Sequence, residues 1–146
     1  RAAEEARARE QERQYIGGCN HDHSAERALV DKSTEQKLAE CREFRAQGNA
    51  WFEEGQFARA RERYRKVSIW LDYTFPETDE LQAEADQVHL PALVNLTVCS
   101  LRLGDWRGVL NTARLALEID PQNIKAMYCA AKAHRQRANF ELADTM

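Results

Sequence analysis

A helical pattern that returns to its own starting point constrains this chain more than any other feature. Gly55, Gly104 and Ala138 each close a run of helically spaced apolar residues. An aromatic follows each two residues later (Phe57, Trp106, Phe140), and a small or β-branched residue three beyond that (Ala60, Val109, Ala143). Gly104 and Ala138 are 34 residues apart, while Gly55 and Gly104 are 49 apart, so the first interval carries an insertion of 15 residues, around Asp72 to Val88. A helical hairpin repeated at such a period cannot bury its apolar face alone, and its neighbours must stack. Small residues such as Gly48 and Ala60 let the two helices of one hairpin approach closely, and the aromatics fill the space to the next.

The spacing of Leu38, Cys41, Phe44, Ala46, Trp51 and Phe52 follows helical periodicity rather than strand alternation. It predicts a helix from Thr34 that Gly55 stops, and a second from about Phe57 to Tyr73. Thr74-Phe75-Pro76 breaks the chain, because proline lacks an N–H and restrains the residue before it. A long helix is expected from Asp79 to Leu103, with Pro91 as its start or a kink. Further helices are expected from Trp106 to Ile119, from Ile124 to Arg137, and from Phe140 onward; no strand is expected. The segments FRAQGNAWFEEGQFARARERY, with Gly48, Ala60 and Tyr64, and WRGVLNTARLALEIDP, with Ala116 and Pro121, match the tetratricopeptide repeat (TPR) in register. The expected fold is therefore an all-α TPR helix-turn-helix superhelix of about three repeats, near residues 41–74, 90–123 and 124–146, the last truncated. Residues 1–33 read as a charged lead-in and polar loop, partly helical, with a short helical run near Ala25 to Val30.

Composition narrows the function classes. A formal net charge of -3 gives no nucleic-acid bias. No apolar run approaches the ~18 residues a membrane helix needs, and no signal peptide is visible. Four cysteines without a CxxC read as reduced thiols, which points to a cytoplasmic protein. A chain opening on Arg1 reads as a fragment of a longer one. His89 and His134 have no adjacent nucleophile, and the glycines form no phosphate-cradling loop, so neither an enzyme nor a cofactor is expected. Cys19, His21 and His23 are good zinc ligand types, but their spacing is tight and a fourth ligand is not evident; a mobile polar loop is the plainer account. Trp51, Trp70 and Trp106 read as packing residues. The basic run Arg59, Arg61, Arg63, Arg65, Lys66 reads as a solvated helix face rather than an RNA site.

The stretches RERYRKVSIWLDYTF (Arg61 to Phe75) and LVNLTVCSLRLGDWRGVLNTARLALEIDPQNIKAMY (Leu93 to Tyr128) resemble the TPR domains of large immunophilins, the FKBP-type and cyclophilin-type peptidyl-prolyl isomerases. The resemblance covers about residues 36 to 146 and includes no isomerase domain. It implies a co-chaperone module that binds the acidic, EEVD-type C-terminal tail of heat-shock protein 90 or 70 through a carboxylate clamp. Carried over position by position, the clamp falls on Arg45 and Asn49 in the first repeat, Asn95 in the second, and Lys125 and Cys129 in the third, where the family usually has arginine instead of Cys129. Carboxylates favour charge-assisted donors, and an Asn amide donates without adding charge. Lys132, Arg42 and Arg102 are expected to face the same groove. The alternatives are a scaffold for another peptide, the targeting arm of a larger prolyl isomerase, and self-association through the truncated C-terminal face.

Overall fold

The computed structural model describes residues 2–5 and 32–145. Residues 2–5 are helical. Five longer helices follow: α1 (Thr34–Glu53), α2 (Phe57–Asp72), α3 (Asp79–Arg102), α4 (Trp106–Ile119) and α5 (Ile124–Thr145). The described residues contain no strand. The expected run near Ala25 to Val30 and the Cys19, His21, His23 loop lie outside the described residues.

Local chemistry explains the starts and stops. Ser33 and Gln36 form a reciprocal capping box that begins α1. The Thr78 hydroxyl accepts from Leu81 N at the start of α3, Asp105 Oδ1 accepts from Gly108 N in α4, and Asn123 Oδ1 accepts from Ala126 N in α5. The turns after α1 and α3 pass through Gly55 at φ 73° and Gly104 at φ 74°, a region other residues rarely adopt.

Ala138 does not make a third such turn. It lies inside α5, which continues unbroken past Arg137 and takes in Phe140. The physical reason is that alanine is the strongest helix former and gains nothing from positive φ, so the aligned position carries no stop signal. The third repeat therefore contributes one helix to this structure. Pro91 likewise neither starts α3 nor ends it; the helix runs through it.

Each helix packs against the next, and α1 also adjoins α3 as α3 adjoins α5. The first helices of the three repeats thus form one continuous layer. Leu38, Cys41, Ala60, Tyr64, Val67, Val88 and Leu96 fill the space among α1, α2 and α3. Leu93, Ala113, Ala116 and Ala126 do so among α3, α4 and α5, where Val109, Cys129 and Ala133 form a further cluster. Trp51 and Trp70 lie partly buried against the first cluster and Trp106 against the third. Cys41, Cys99 and Cys129 are buried free thiols. Burial pushes the Cys41 thiol up to about 12 and that of Cys99 up to about 11, so both stay protonated.

The insertion lengthens α3 at its N-terminal end, and the α2–α3 connection within it meets the start of α1. Lys37, itself buried, donates its Nζ to the Tyr73 carbonyl at 2.8 Å, and Thr34 Oγ1 lies 3.3 Å from the Glu77 carboxylate. No helix among the described residues is long and apolar enough to cross a membrane.

Candidate functional site

The groove candidates lie on α1, α3 and α5, the helices that adjoin one another across the repeats. Arg42, Arg45 and Asn49 recur at intervals of three and four along α1, so they share a face. Gly48 is buried beneath Tyr64 of α2, where an added Cβ would sit 2.7 Å from the ring. That close approach brings the phenol to its neighbour: Tyr64 Oη donates to Asn49 Oδ1 at 2.6 Å.

Asn95 of α3 completes the cluster. Its Nδ2 lies 3.3 Å from Asn49 Oδ1 and 3.3 Å from Tyr64 Oη. Burial pushes the Tyr64 phenol up to about 12, with the Asn95 hydrogen bond opposing, so the hydroxyl keeps its proton and remains a donor. Asn49 Oδ1 is thereby held by two donors, which orients the amide and leaves its Nδ2 to donate to a ligand.

The lengthened part of α3 meets the two arginines of α1. Arg45 Nη1 donates to the Gln87 carbonyl at 3.3 Å. Pro91, four residues after Gln87, has no N–H, so this carbonyl lacks its helical partner. The side chain of Arg45 supplies the donor that proline withholds. Arg42 Nη2 lies 3.7 Å from Glu84 Oε2, an exposed pair of small energetic weight. Arg102, in the last turn of α3, sits over the Phe57 ring at 5.8 Å, and Phe57 meets Phe52 edge-on at 5.4 Å.

On α5, Lys125 and Lys132 are exposed, and Lys132 Nζ lies 5.9 Å from the Tyr128 ring centre. Cys129 is different. It is 2% exposed and packs with Val109 and Ala133. Burial raises its thiol pKa, with Lys125 and Lys132 opposing. Cys129, expected among the groove residues, thus sits between α4 and α5 with almost no surface of its own to offer a ligand.

Sequence reading missed the parts played by Tyr64, Glu84 and Gln87. Tyr64 stood in the repeat register only as a packing residue. Gln87 was findable from Pro91, since a proline inside a helix always frees the carbonyl four residues earlier. His89 lies elsewhere, bridging α3 to α2 with Nε2 3.2 Å from Ser68 Oγ.

No protein-family model matches the chain. It is 30% identical over 113 residues to peptidyl-prolyl cis-trans isomerase FKBP4 of Bos taurus, a match covering 77% of this chain and 25% of that protein. The Homo sapiens FKBP4 is 29% identical over 113 residues with the same coverage. The chain thus spans about a quarter of the length of the curated relatives it matches. Among solved structures, the C-terminal TPR-containing domain of an FK506-binding protein of Plasmodium falciparum superposes with a TM-score of 0.70 at 20% identity, covering 77% of this chain and 76% of that one. The superposition shows the fold, and with the sequence similarity it makes this chain a TPR domain resembling those of the large immunophilins.

Proposed function

We propose that the α1, α3, α5 face binds the acidic C-terminal tail of heat-shock protein 90 or 70. The observation that carries this reading is the junction of Asn49 with Asn95, 46 residues apart, through Asn49 Oδ1 and Tyr64 Oη. It holds one amide of the first repeat and one of the second in a shared, oriented set beside Arg45. Lys125 adds a cation from the third repeat, with Lys132, Arg42 and Arg102 as flanking charge. Cys129 supplies none, so the tail is held by fewer cations than the family pattern has. A hydrogen bond to a charged group contributes about 1.5–3 kcal/mol, so the missing donor weakens the complex by roughly tenfold or more. The domain would act as the docking arm of a longer prolyl isomerase, working in the cytoplasm.

Calorimetric titration with an EEVD-ended peptide tests this, beside the same peptide amidated at its C-terminus. The expected result is micromolar binding that is lost on amidation and reduced about tenfold in Asn49→Ala or Lys125→Ala. Equal affinity for both peptides would overturn the clamp.

A second reading, self-association through α5, is favoured by the exposure of Ile124, Met127 and Phe140, the last at 61%. Light scattering should then show a concentration-dependent dimer that Phe140→Ser abolishes. A strict monomer at high concentration removes this reading.

A further inference from the structure

The basic run on α2 is sorted by the fold into different environments. Arg61 turns toward α4, where Nη1 lies 3.6 Å from Asp105 Oδ2. Arg65 lies 3.6 Å from Glu62. Arg59, Arg63 and Lys66 remain, spaced four and three apart, and so share one side of the helix. No ion pair engages any of these three among the described residues.

They line a groove of about 380 Å³ with Trp51 and Glu62, made from α1 and α2 alone. Two of its three cations rest on aromatic rings instead of carboxylates. The Arg59 guanidinium lies 4.7 Å over Trp51, and Lys66 Nζ lies 5.4 Å over Phe44. The stripe continues as Phe44 meets Trp70 edge-on at 5.2 Å, with Lys32 Nζ 4.8 Å over Trp70. Stacking on a ring orients a guanidinium while leaving its N–H edge open to an anion. Glu62 is the one acid in the lining, and Arg65 draws on its charge.

We infer that this α1–α2 groove is a second binding site, separate from the α1, α3, α5 face, for an extended acidic peptide segment. Pitch supports an extended strand. Arg59 and Arg63 are about 6 Å apart along the helix axis, and carboxylates on alternate residues of an extended peptide are about 6.6 Å apart. Lys66, a further ~4.5 Å along, reaches the next carboxylate through its flexible stem. An acidic peptide also fits better than nucleic acid: the chain is acidic overall at -3, and the groove is short. The inference does not depend on the α1, α3, α5 face, since none of the groove's residues is among those proposed to bind there.

The test uses the whole chain and a dodecapeptide with glutamate at alternate positions, acetylated and amidated so that no terminal carboxylate can occupy the α1, α3, α5 face. Binding is measured by calorimetry, beside an oligouridylate of equal charge. The expected result is saturable, salt-sensitive peptide binding that weakens at least about tenfold in Arg59→Glu/Arg63→Glu and is unchanged in Asn49→Ala. If that pair fails to fold, Arg59→Gln/Arg63→Gln poses the same question with milder loss. Absent binding, binding indifferent to these substitutions, or preference for the oligouridylate would each overturn the inference.

Discussion

Tyr64 concentrates several roles in one side chain. Its ring occupies the space that the missing Cβ of Gly48 leaves, and its hydroxyl orients Asn49 while accepting from Asn95. Tyr64→Phe separates these roles, because the ring and its packing remain. Removing the hydroxyl takes one donor from Asn49 Oδ1 and should cost about 1–2 kcal/mol in urea unfolding. Affinity for the proposed acidic tail should fall as well, since Asn95 alone then holds Asn49. Unchanged affinity alongside reduced stability would make Tyr64 a packing residue only. Cys129 shows the opposite at this scale: its side chain serves packing alone, held with Val109 and Ala133 in the core.

At the scale of elements, α3 is the informative helix. Its added N-terminal turns place Glu84 and Gln87 against the arginines of α1, and Pro91 decides what Gln87 offers them. A proline inside a helix costs about 3 kcal/mol through the lost hydrogen bond and ring clash; the Arg45 contact offsets part of that. Pro91→Ala should therefore raise stability by about 1–3 kcal/mol, read as a higher urea midpoint. A lower midpoint would mean that the proline ring packs more favourably than the helical bond it displaces. α5 teaches a related lesson. The same repeat position holds glycine at the ends of α1 and α3 but alanine in α5, and the helix runs on through it.

For the molecule as a whole, acidification should act first through the α2–α3 contact. Burial lowers the pKa of His89 from 6.5, with Asp72 and then Asp86 opposing. The unfolded chain therefore binds a proton more readily below about 6.5, and stability declines there as pH falls. Asp72 is shifted upward from 3.8 by burial, against His89, so the folded state protonates first at lower pH and regains part of the loss. The melting temperature should fall between about pH 7.5 and about 5.5, and His89→Gln should flatten that slope. A slope unchanged by the substitution would place the sensitivity in other groups.

The sequence by itself determined where the first four long helices begin and end, because caps, glycines, prolines and apolar spacing act between near neighbours; at Ala138, where a stop was expected, α5 runs on. The bounds expected for Trp106 to Ile119 match α4, and those for the long helix differ from α3 by one residue. It also placed Arg45, Asn49, Asn95 and Lys125 in helices, which are α1, α3 and α5. Only the tertiary structure decided that Tyr64 joins Asn49 to Asn95, that Arg45 meets the carbonyl freed by Pro91, that Cys129 is sealed into the core, and that the basic run divides among separate partners. Each of these depends on which side chains from distant stretches compete for the same space. Such competition is settled by packing, which no local pattern encodes.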